Sequence, residues 1–118
     1  MNYMFTKQCR NLDAEKIWSF LQRGLSKDVI VKSIQQKIHY TIHEISNEYI
    51  SFSAPSRNEG EPETIFKEDF IIVVERLQKA GIFNTQIAKE LFKGTKIYRK
   101  RSPIFSILLS SGVIESVT

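Results

Sequence analysis

The sequence has a single cysteine, Cys9, so no internal disulfide can form and a reducing compartment is the expected setting. Its longest apolar runs, such as Phe70-Ile71-Ile72-Val73-Val74, are far too short to cross a bilayer. The opening residues, MNYMFTKQCRN, lack the apolar stretch of a secretory leader. Together these absences predict a cytoplasmic protein with no membrane partner. Titratable metal ligands are just as scarce. The two histidines, His39 and His43, could form a metal pair with Glu44 on a helix. On a strand they would share a face roughly 13 Å apart, at about 3.3 Å per residue, which one ion cannot bridge. No zinc-type Cys/His spacing is present, so no metal and no cofactor are expected. Catalytic motifs are missing too. Cys9 has Arg10 beside it but no marked base partner, and no phosphate-binding loop or acid/base pair appears. A nuclease-like set could be drawn from Glu59, Glu61, Glu63, Glu68 and Asp69, but a solvated loop and a helix start account for them without chemistry. An enzyme is therefore not expected.

What is present fits a small folded domain. The 118 residues suit one domain, 1–118, with 42% apolar and 25% charged residues. A chain of this size can bury a core without a metal or disulfide staple. No internal repeat or low-complexity tract occurs.

The charge is unevenly placed. Residues 1–90 hold 12 Lys+Arg and 12 Asp+Glu and are neutral. Residues 91–103 hold Lys93, Lys96, Arg99, Lys100 and Arg101 and no acid, and the remainder adds only Glu115. The whole excess of +4 thus arises in KGTKIYRKRSP, Lys93 to Pro103. Such a concentration predicts an anionic partner, with nucleic acid first.

The expected fold is α+β. A helix is read over Leu12–Arg23, with Asn11 as N-cap, Asp13 and Glu15 in the first turn and Gly24 as the stop. Leu12, Ala14, Ile17, Trp18 and Leu21 form its apolar stripe, which makes Trp18 core rather than ligand platform. Residues 1–10 are read as a mobile lead-in to this N-terminal helix. Residues 29–36 suit either a strand or a short helix capped by Ser26. A hairpin is expected at about 37–54, with Ile38–Ile45 paired to Tyr49–Ala54 across Ser46-Asn47-Glu48. Residues 55–63, PSRNEGEPE, read as a loop, and Thr64–Phe66 as a short edge strand. About three helices follow. KEDFIIVVERLQKAG ends at Gly81, a second begins at Asn84 or Thr85 and ends at Gly94, and a third begins at Ser102 as N-cap with Pro103 at its first position. Gly112 ends the last one, and Val113-Ile114 could return as a strand.

The C-terminal order NTQIAKELFKG, basic segment, SPIFSILLSSGVIE carries a resemblance. Through Ile87, Ala88, Leu91, Ile107, Leu108 and Gly112-Val113-Ile114 it is similar to the helix-turn-helix or winged-helix pattern, over about a third of the chain. That resemblance implies DNA binding through the second helix. The link from Leu91 to Ser102 is longer than the 3–4-residue turn of the motif, and the cations precede the second helix instead of lying along it. No base-reading residue is assigned, and the plain alternative is a helical hairpin closing the core.

The functional expectation is a small non-enzymatic nucleic-acid-binding protein, double-stranded DNA favoured, that grips phosphate. Arg99 and Arg101 would fork onto phosphate oxygens, with Lys93, Lys96 and Lys100 as point charges. Tyr98 would stack on a base, and the helix start at Ser102 would add backbone donors. RKRSP could also present Ser102 for phosphorylation. The alternative is a protein-interaction module, an accessory or inhibitor subunit, whose basic segment docks an acidic partner or whose hairpin extends a partner's sheet.

Overall fold

A computed structural model describes residues 1–32 and 37–117. Among the described residues the order is β1 (Asn2–Phe5), α1 (Ala14–Gly24), β2 (Ile30–Lys32), β3 (His39–Ile45), β4 (Tyr49–Ser53), β5 (Glu63–Phe66), α2 (Lys67–Ala80), α3 (Thr85–Phe92), α4 (Arg101–Ser110) and β6 (Ile114–Val117). The class is α+β, with two antiparallel sheets. One runs β2-β3-β4-β5, and the other pairs the two ends of the chain as β1-β6. No helix of the described residues is long and apolar enough to cross a membrane.

The expected hairpin is present as β3 and β4. Its turn closes because the Ser46 hydroxyl oxygen accepts from the backbone N–H groups of Glu48 and Tyr49, both at 3.0 Å. The register slips by one residue between Ile42 and Glu44, which places His43 at a bulge. Alternation does the rest: Val31, Tyr40, Ile42, Ile50, Phe52 and Ile65 point inward and are buried. The edge strand expected at Thr64–Phe66 is β5. At 29–36 the strand reading holds for Ile30–Lys32, while 33–36 lie outside the described residues.

The beginning of the chain corrects the expectation. The first element is a strand, not a helix, and residues 1–10 are not a loose lead-in. Tyr3, Phe5, Thr6 and Cys9 are buried, and β1 lies against β6 from Asn2↔Val117 to Phe5↔Ile114. Tyr3 also exchanges two backbone hydrogen bonds with Phe83, at 2.7 and 2.9 Å. The rings of Phe5, Phe83, Phe105 and Tyr3 form a chain of edge-on contacts at 4.9–6.2 Å, a favoured aromatic geometry. Long-range pairing supplies what local periodicity does not display. The first helix then starts at Ala14 with Asp13 as N-cap, accepting from the Lys16 N–H at 2.8 Å, two residues past the expected cap Asn11.

Helix α1 buries Ala14, Ile17, Trp18 and Leu21, and Trp18 meets Phe70 of α2 edge-on at 5.1 Å. Trp18 is thus core, and its indole N–H finds no acceptor among the described residues. Helix α2 runs to Gly81 as expected, which sits at φ +75°. Its Arg76 donates to the carbonyls of Leu91 and Lys93, fixing the exit of α3 and the start of the basic segment.

Helix α4 begins earlier than expected. Its N-cap is Lys100 and it opens at Arg101, so Ser102 is not the cap and Pro103 is not the first helical residue. A 3-10 turn over Tyr98–Lys100 feeds directly into it. Pro103 still lies in the first turn, where its missing N–H costs nothing. Residues Pro103 through Leu108 are all buried, and α4 touches strands of both sheets as well as α3. It is a central core helix whose only exposed residues are Ser102 and Ser110. Helices α3 and α4 are both present, but α4 has no exposed polar face of the kind that enters a groove.

Candidate nucleic-acid interface

The basic segment is firmly seated. Ile97 is buried, Tyr98 is half-buried against the core, and the Thr95 hydroxyl donates to the Phe92 carbonyl at 2.7 Å. Apolar anchors at Ile97 and Tyr98 turn the cations before and after them outward, in two directions.

One group converges on a cleft of about 690 Å3. Arg99, Arg101 and Ser102 line it, together with Arg57 from the loop after β4, Lys89 of α3 and Lys37 from before β3. Among the described residues no acidic side chain lines it. Its floor is the apolar junction of β1, α3 and α4, at Tyr3, Phe92 and Phe105. The second group stays outside that lining. Lys93 forms an exposed ion pair with Glu90 at 2.9 Å, which raises the lysine's pKa above its ordinary value. Lys96 is exposed, and Lys100 is half-buried as the α4 cap.

Several of the lining groups are held in place. Arg57 forks onto Glu63, with Nε and Nη2 donating at 2.8 and 3.1 Å, and Nη2 also donates to the Arg99 carbonyl at 3.0 Å. The hydrogen bond to Glu63 holds the Arg57 pKa above its ordinary value, so its charge is permanent. This links the loop of residues 55–63 to the basic segment. That loop makes its own tight turn with Asn58, Glu59 and Gly60 all at positive φ. Arg101 lies over the Tyr98 ring at 3.9 Å from its centre, and its Nη1 donates to the Tyr98 carbonyl at 2.7 Å. One face of Tyr98 is thereby occupied, leaving it less open to a base than the sequence suggested. Arg99 is exposed, and its side chain makes no hydrogen bond or ion pair to another described residue. Ser102 shares a 2.7 Å hydrogen bond with the hydroxyl of Tyr40, whose ring is fully buried. If Tyr40 donates, the Ser102 proton is left for an acceptor in the cleft.

The segment 93–102 therefore contributes Arg99, Arg101 and Ser102 to one concavity, and Lys93, Lys96, Tyr98 and Lys100 to its surroundings. Counting charge by segment hid Lys37, Arg57 and Lys89, because each lies in the neutral part of the chain. A trace of Lys89 was legible: it shares a helix face with Thr85 and Gln86, both cleft residues. Nothing local marked Arg57, which needs the β4–β5 connection to reach the cleft.

The other candidates do not converge. His43 pairs with the Ser53 hydroxyl at 2.6 Å on the outer sheet face, and His39 is exposed. Cys9 is buried rather than mobile, and burial pushes its thiol pKa up, opposite to the activation that Arg10 suggested. Glu63 is paired to Arg57 and Asp69 is buried at the start of α2, so the acids do not gather. Among the described residues no three His, Cys, Asp or Glu side chains come together to hold a metal ion. Comparison of the chain with protein-family models, with curated proteins and with solved structures found no match.

Proposed function

We propose that the protein is a small non-enzymatic nucleic-acid-binding protein, with DNA favoured, that contacts phosphate through the basic cleft and the segment beside it. The observation that carries this reading is the cleft lining: among the described residues, five cationic side chains from four separate parts of the chain and no acidic one. Side chains of one sign do not gather at a concavity without a cost in mutual repulsion, which an anionic ligand relieves. The guanidinium groups offer paired N–H donors that match phosphate oxygens, and the lysines outside the lining extend the positive field along the path of a strand. The burial of α4 favours contact to the backbone over base reading by that helix.

The test is the variant in which Lys96, Arg99, Lys100 and Arg101 are all changed to Ala. Its affinity for a DNA oligonucleotide at low salt should fall by on the order of a hundredfold, through lost counterion release. Full affinity in a folded variant would sink the proposal. A second reading, a protein-interaction module, is supported by the exposed Ile30 on the short edge strand β2, which could accept a partner's strand. A complex that survives high salt, with no binding to nucleic acid at low salt, would favour it.

A further inference from the structure

The geometry points to the terminal phosphate of a nucleic-acid strand, a phosphomonoester, as the group that the cleft takes, with Arg57, Arg99, Arg101 and the Ser102 hydroxyl as its anchor. This rests on the nucleic-acid reading above and narrows it. Shape is the first argument. A cleft of about 690 Å3 is of the size that encloses a small ligand, enough for a nucleotide at a strand end, whereas a duplex is a stiff rod that lies along a surface. Charge is the second. A terminal phosphate carries about −1.5 to −2 near neutral pH, while each internal phosphodiester carries a single charge. Three guanidinium groups line the cleft, and Glu63, paired to Arg57, offsets only one of them. The surplus suits a dianion.

Donor geometry is the third argument. Arg57 is already fixed by Nε and Nη2, which leaves both Nη1 protons unclaimed by described residues. Arg101 is fixed through Nη1 over the Tyr98 ring, which leaves Nε and Nη2. Arg99 keeps its full fork. Two held guanidinium groups, one adjustable one and a hydroxyl fit the several oxygens of a terminal phosphate, at little cost in side-chain ordering. Ser102 lies in the first turn of α4, so the helix end adds favourable polarity near the same point.

The experiment compares four probes by fluorescence anisotropy or competition at one salt concentration: an oligothymidylate with a 5′- or 3′-phosphate, the same strand with hydroxyl ends, a covalently closed single-stranded circle, and adenosine monophosphate. The phosphorylated strand should bind about tenfold tighter than the hydroxyl-ended strand and the circle, the change expected from one further charge-assisted contact. Arg99→Ala should bring that ratio close to one, while binding of the hydroxyl-ended strand and the circle, which also use this cation, falls by a smaller factor. A thermal melt should show the fold intact, since the Arg99 side chain holds nothing in place. Arg99→Lys should restore only part of the ratio, because the fork is lost and the charge kept. Equal affinity for the circle and the phosphorylated strand would overturn the strand-end inference while leaving nucleic-acid binding in place. Equal competition by adenosine monophosphate would overturn it in favour of a free nucleotide. Binding to none of the probes would overturn the strand-end inference, and failure to bind a duplex of the same length as well would overturn both readings together.

Discussion

Residues 1–10 and residues 93–102 are both short segments rich in polar side chains, yet the fold treats them in opposite ways. The first is drawn inside: Tyr3, Phe5, Thr6 and Cys9 are buried, and the Thr6 hydroxyl donates to the Gly112 carbonyl at 2.8 Å, tying the chain's beginning to its end. The second keeps one buried residue, Ile97, and turns its cations out. Both meet at the cleft, where Tyr3 provides floor and Arg99 and Arg101 provide rim. The contrast separates two roles that sequence position alone does not. One segment builds the core beneath the cleft, and the other is anchored by Ile97 and Tyr98 while its cations face the cleft and its surroundings.

The largest effect that would expose this division is in the floor segment. Phe5→Ala should cost about 3–5 kcal/mol, because it removes a buried ring in edge-on contact with Phe83. Thermal unfolding should show a midpoint lower by on the order of 10 °C or more. The quadruple charge variant should show the reverse profile in the same assay. Its stability should stay within about 1–2 kcal/mol of the parent, since the lost internal contacts are the Arg101 bond to the Tyr98 carbonyl and its stacking on that ring. A destabilisation matching that of Phe5→Ala would break the comparison, because the basic segment would then be structural. The smallest effect belongs to the hydroxyl pair that joins sheet and cleft. Ser102→Ala should cost about 1–2 kcal/mol by leaving the buried Tyr40 hydroxyl unpaired, and adding Tyr40→Phe should recover part of that loss. A double variant no more stable than Ser102→Ala alone would show that the pair carries no such strain.

Local signals made much of the fold legible. The hairpin followed from alternation and a turn at Ser46, α2 from its stripe and Gly81, and α3 from Asn84, whose side chain accepts from the Ile87 N–H at 2.8 Å. The strand β1 was not legible, because NYMF is too short to show a period and its partner lies at the far end of the chain. The start of α4 was misplaced for a related reason. Ser102-Pro103 is a strong local start signal, but the 3-10 turn and the Tyr40 hydroxyl claim Ser102 for another contact. The basic segment was visible as charge. The cleft was not, since it needs Arg57 and Lys89 brought in by tertiary structure, and a balanced charge count along residues 1–90 conceals both.

The central claim, that the converged cations bind nucleic-acid phosphate, is tested most directly by the salt dependence of binding to a short DNA oligonucleotide. With about three to five phosphate contacts, the logarithm of the association constant should fall against the logarithm of salt concentration with a slope of roughly −2 to −4, so that affinity drops by about tenfold or more between about 50 and 200 mM salt. An association constant unchanged across that range, or no binding at its lower end, would contradict the account.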